Sequence, residues 1–160
     1  LILNKKIFIK KNIKSIAIEF PEPWFRVSKF HIPKNSTEAR FSLSYCLATA
    51  LIKGKFDLSS LNISKNKKSL DMAKKIELVT YKVPKNFEDY DPRYPDIIKV
   101  IMNDGSKFIE KISHIKGGKD NPLKDNDIDN KFLMCGGKKN ILIKIRNKKY
   151  NKKNLKEIIF

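Results

Sequence analysis

The 160-residue chain predicts an α+β fold: a small antiparallel sheet of three to four strands packed with two to three helices. Three observations lead there. Lys14 to Phe20 alternates, with Ile16, Ile18 and Phe20 on one face and Ser15, Ala17 and Glu19 on the other, the period of a half-buried strand. Asn35 to Gly54 reads as one capped helix that is apolar on nearly every side and therefore buried. Asn103-Asp-Gly-Ser106 joins two β-rich runs, and Asp-Gly there signals a hairpin because the tight turn needs positive φ.

The elements follow in order. Pro21 and Pro23 stop the first strand, and a loop carrying Trp24, Phe25 and Phe30 closes at Pro33. Asn35 can cap the main helix, with Glu38 three residues on to complete a capping box. Gly54 suits the residue just past its end. Asp57–Leu61 predicts a short helical turn, and Lys67–Lys75 an amphipathic helix with Leu70 and Ala73 inward. That helix runs into a strand at Ile76–Val83. After a loop rich in Asp, Tyr and Pro come the hairpin strands, Ile97–Met102 and Lys107–Ser113, then a polar loop at Gly117-Gly118 and a short helix at Asp125–Leu133. Beyond Gly136-Gly137 the alternating Ile141, Ile143 and Ile145 stand among lysines and asparagines, and strand, helix and frayed tail all remain open. Residues 1–136 accordingly read as one domain and 137–160 as a lysine-rich tail.

A chain of this length buries roughly 70% of its unfolded surface, enough for a core without staples. No run is long enough to cross a bilayer, and the apolar start at residues 1–9 is broken by lysines, unlike a signal peptide. Cys46 and Cys135 form no paired motif, so idle thiols in a reducing cytoplasm are expected, and two thiols cannot ligate an ordinary iron–sulfur cluster. A start at Leu1 rather than Met suggests a fragment or an unusual start codon. The net charge of +18 is concentrated at the ends. Residues 1–35 hold eight basic side chains against two acidic, and residues 137–160 hold nine against one. The central body is only mildly basic, so compositional drift on solvated surface is preferred over a polyanion-binding role.

Motifs of chemistry are few. His31 and His114 are isolated, with no metal-ligand spacing. Gly117-Gly-Lys-Asp-Asn-Pro-Leu123 lacks the phosphate-loop spacing and reads as a turn. No nucleophile elbow, zinc finger, helix-turn-helix or RNA-binding sheet is legible. In the main helix, Phe41, Tyr45, Ala48 and Ile52 share a stripe, so Tyr45 reads on residue chemistry alone as a core tyrosine with a backbone acceptor. A sharper alternative places a carboxylate at the helix N-terminus with Arg40 as a clamp beside Ser42 and Tyr45.

Four collinear segments then carry a resemblance. Glu38-Ala-Arg-Phe-Ser-Leu-Ser-Tyr-Cys-Leu-Ala-Thr-Ala-Leu-Ile-Lys-Gly54 resembles the acidic-Ala-basic-Phe-Ser-Leu-Pro-Tyr segment of the MmgE/PrpD family, which includes 2-methylcitrate dehydratase and cis-aconitate decarboxylase. Asp71–Leu78, the run from Tyr94-Pro95 to Asp104-Gly105, and Gly117–Leu123 followed by Lys131-Phe132 continue it in order across residues 13–133.

The resemblance implies that residues 1–136 are the C-terminal α/β lid domain. Such a lid closes over a di- or tricarboxylic acid held mainly by a helical domain with no counterpart here. It implies that Tyr45 lines the active site, and that the reaction removes a proton beside a carboxylate with loss of hydroxide or carbon dioxide. It implies no cofactor and no metal, a cytoplasmic enzyme, and a homodimer in the full-length context. Two departures stand out: Ser44 where proline is common, and Gly118 where aspartate follows the first glycine. The chain alone is expected to be inactive. The competing expectation is a non-catalytic binding or structural module whose basic ends contact a polyanion.

Overall fold

The computed structural model describes residues 13–89 and 91–147; the apolar run at 1–9 and the last part of the lysine-rich tail lie outside them. The chain divides into two compact units, Leu1–Ile115 and Lys116–Phe160.

In the first unit, β1 (Ile13–Pro21) is followed by a 3-10 turn (Glu22–Arg26), α1 (Ser36–Arg40), α2 (Leu43–Lys53), two further 3-10 turns (Leu58–Leu61 and Ile63–Lys65) and α3 (Lys67–Ala73). Then come β2 (Ile76–Tyr81), β3 (Asp96–Met102) and β4 (Lys107–Ile112). The strands form one sheet in the order β2-β1-β3-β4. The α+β class and the strand number are those the alternation and the hairpin signal predict. The β1–β2 pair differs from the antiparallel expectation: it is parallel, with Ile16 opposite Ile76 and Phe20 opposite Thr80. A parallel neighbour needs a crossover long enough to carry the chain back along the sheet, and the helices between Ser36 and Ala73 supply it. β3 pairs antiparallel with both β1 and β4. The hairpin closes at Gly105, whose φ of 85° is the left-handed value expected there.

Alternation in β1 sends Ile16, Ile18 and Phe20 to the helix-bearing face, where they join Ile76, Val100, Met102, Ala39, Tyr45, Ala48 and Ala73 in one buried cluster. α2 and α3 pack on each other. Their buried residues include the small Ser44 and Ala48 on α2 and Ser69 and Ala73 on α3, side chains short enough to let two helix backbones approach closely.

The second unit holds α4 (Asp125–Met134) and α5 (Lys139–Asn147). Gly117–Leu123 forms a tight turn, with the Gly117 N–H donating to the Asn121 carbonyl at 2.7 Å and Asn121 returning a bond to Gly118 at 3.2 Å. α5 resolves the choice left open by the isoleucines. Ile141, Leu142 and Ile145 make a half-buried i, i+1, i+4 stripe, while Ile143 is 51% exposed, so helical periodicity prevails over alternation. Among the described residues, no helix is long and apolar enough to cross a membrane.

Candidate functional site

The expected single helix at 35–54 is two helices. Asn35 caps α1, its side chain accepting from the Glu38 N–H at 2.9 Å while Glu38 accepts from the Asn35 amide at 3.0 Å and the Lys34 N–H at 2.8 Å. After one and a half turns the chain leaves helical geometry at Phe41 and Ser42, and Ser42 caps α2 by accepting from the Tyr45 N–H at 3.2 Å. Ser42 Oγ also donates to the His31 carbonyl at 2.9 Å, and Ser44 Oγ donates to the same oxygen. The break explains the departure from the family pattern at residue 44. Ser44 lies in the first turn of α2, where a backbone N–H has no intrahelical acceptor, so serine and proline are both accommodated.

Tyr45 is fully buried, and its hydroxyl donates to the Ser60 carbonyl at 2.7 Å. Burial raises the phenol above its ordinary value, outweighing the Thr49 and Asn66 side chains that favour its ionised form. Thr49 Oγ1 is itself buried and, among the described residues, completes no hydrogen bond of normal geometry. Asn66 holds the two 3-10 turns together, its amide donating to the Ser59 and Ser60 carbonyls at 3.3 Å and to Asn62 at 2.7 Å. The Tyr45 hydroxyl is thus already engaged inside the core, by a carbonyl of the Leu58–Leu61 turn.

The remaining sequence candidates scatter. Arg40 is exposed at the C-terminal end of α1, not beside the Tyr45 hydroxyl. His31 is exposed, with Nε2 bonded to the Ile76 carbonyl at 2.7 Å, which ties its loop to β2. His114 follows β4 on the surface. Burial pushes the Cys46 thiol up to about 11, and its Sγ lies 3.5 Å from the Ala39 carbonyl, so it is inert at neutral pH. Cys135 is exposed at the end of α4. Among the described residues, no group of three His, Cys, Asp or Glu side chains could hold a metal ion.

A second feature escaped the sequence reading. Where β1 ends and β3 begins, a cavity of about 150 Å³ opens among Phe20, Trp24, Leu43, Phe87, Tyr94 and Asp96, with Asp91 and Ser113 also lining it. Phe87 and Tyr94 stack edge to face at 5.7 Å. Asp91 is held by Arg93, whose Nη2 is 2.6 Å from its carboxylate. Asp96, at the first position of β3, has its carboxyl raised by burial. No spacing in the chain links these residues; only the pairing of β1 with β3 and the docking of α2 bring them together.

Residues 2–139 match the family model described as the MmgE/PrpD C-terminal domain, and the chain belongs to that family. No individual curated protein matches it.

Proposed function

We propose, on the premise of that membership, that the domain is the lid of a lyase resembling 2-methylcitrate dehydratase, closing over a di- or tricarboxylate held mainly by a helical domain. The match across residues 2–139, which contains the whole Glu38–Gly54 segment, carries this reading. In the proposed reaction a base on the helical domain removes a proton beside a carboxylate, and the lid excludes water while negative charge builds. Tyr45 is the lid's contribution. Its raised phenol keeps the proton at neutral pH, so it serves as a hydrogen-bond donor rather than a base, exchanging the Ser60 carbonyl for a substrate oxygen when the Leu58–Leu61 turn moves.

One tyrosine cannot perform the whole reaction, so the 160-residue chain alone should not dehydrate 2-methylcitrate. Adding a separately produced family helical domain should restore turnover, and Tyr45→Phe should then lower kcat by roughly 100–1,000-fold, the usual scale for losing one transition-state donor. Turnover by the pure chain would overturn the division of labour. Wild-type kcat in the mixed Tyr45→Phe enzyme would leave Tyr45 a purely structural residue. The net charge of +18 favours a second reading, a polyanion-binding module. That reading requires DNA binding that persists at moderate salt with a sequence preference, since nonspecific attraction is lost steeply as salt rises.

A further inference from the structure

We propose that the cavity at the end of β1 is a binding site for a small organic cation, an alkylammonium group of about five heavy atoms, with Asp96 as its counter-ion. Size sets the first limit. A cavity of about 150 Å³ accommodates a benzene-sized molecule and admits a short alkylamine.

Charge sets the second. Of the two carboxylates on the cavity, Asp91 is already compensated: its oxygens accept from Arg93 Nε at 2.9 and 3.1 Å and from Nη2 at 2.6 Å. Asp96 has no side-chain hydrogen bond or ion pair among the described residues, although it is half-buried at the head of β3. An unpaired carboxylate on an apolar wall is costly, and a cation placed against it recovers that cost. The walls fit the same ligand. Trp24, Phe87 and Tyr94 offer aromatic surface, which attracts an ammonium through the ring quadrupole and covers an alkyl chain equally well. A metal ion is poorly served, because among the described residues Asp96 is the one carboxylate on the cavity without a partner and the lining is mainly apolar. A di- or tricarboxylate is repelled by Asp96, so this site is separate from the one proposed above and does not depend on it.

Trp24 is the chain's sole tryptophan and lines the cavity, so its fluorescence reports occupancy directly. At constant ionic strength, n-butylammonium should change that emission saturably with Kd at or below ~1 mM, weak binding by any standard. Asp96→Asn should weaken it at least tenfold, and neutral 1-pentanol should bind at least tenfold less tightly than the amine. Ser113→Leu, which narrows the cavity and keeps the carboxylate, should abolish the response, guarding against a folding effect of the first variant. Nα-acetyl-lysine amide separates the two sources of the group: binding as tight as butylammonium assigns the site to a lysine side chain of another protein, and binding of the free amine alone assigns it to a small metabolite. The proposal falls if butylammonium gives no saturable change up to roughly 10 mM, if Asp96→Asn binds as well as wild type, or if butyrate binds as tightly as the amine.

Discussion

In the first unit Phe20, Tyr45 and Ala48 are wholly buried between sheet and helices, whereas in the second unit neither α4 nor α5 buries a residue. Leu133, Met134 and Ile143 there remain 39–51% exposed. What holds the second unit is local. The Lys124 N–H donates to Asp127 at 3.1 Å, Lys116 pairs with the same carboxylate, and Arg146 of α5 reaches Asp129 of α4 at 2.6 Å. Helices this short are marginal without full tertiary burial, so caps and ion pairs add to what the half-buried Ile141, Leu142 and Ile145 supply. The contrast teaches that one chain can draw its order from two sources with different sensitivities, apolar burial that salt barely touches and surface charge that salt screens.

The largest expected effect sharpens that contrast. Phe20→Ala should cost about 3–5 kcal/mol in urea unfolding followed at the sheet, while Leu133→Ala should cost under ~0.5 kcal/mol. Equal costs would erase the distinction between the units. Next comes pH. The buried Cys46 thiol titrates near 11 when folded and near its ordinary value when unfolded, so between about pH 9 and 11 the unfolded chain holds fewer protons and stability falls as pH rises. The loss should be on the order of 2 kcal/mol by pH 11, and alkaline unfolding of Cys46→Ala should lack that component. A wild-type stability flat across this range would contradict the burial assigned to Cys46.

Tyr45→Phe should cost about 1–2 kcal/mol of stability in the isolated chain, because the Ser60 carbonyl loses its shortest donor. No loss on urea unfolding would mean that Asn66 satisfies that carbonyl unaided. Smallest is Arg146→Ala, which should raise amide exchange in α4 and α5 a few-fold at low salt and leave β1 unchanged. At ~1 M salt the difference should vanish, since the Debye length there is about 3 Å. Faster exchange in β1 on removing Arg146 would show that the two units are not independent sources of order.

Much of the first unit was legible because its signals are local. The alternation of Lys14–Phe20, the Asn35–Glu38 capping box and the Asp104-Gly105 turn each specify their own backbone within a few residues. The break between α1 and α2 was not legible. The apolar pattern runs through Phe41-Ser42 without interruption, and Ser42 becomes a cap only because its hydroxyl meets both the Tyr45 N–H and the His31 carbonyl, eleven residues back in the chain. Ser42 itself, a residue type favoured at helix N-caps, was the local signal available for it.

By itself, then, the amino-acid sequence determined the α+β class, the placement of most elements and, through four collinear motifs, the family. Those are properties of periodicity and of neighbours along the chain. Tertiary structure alone decided that β2 lies parallel to β1, that Tyr45 is closed over by the Ser60 turn, and that Trp24, Tyr94 and Asp96 share one cavity. Each depends on which segments meet across long stretches of chain, and that choice is made by burial of the whole core rather than by any local preference.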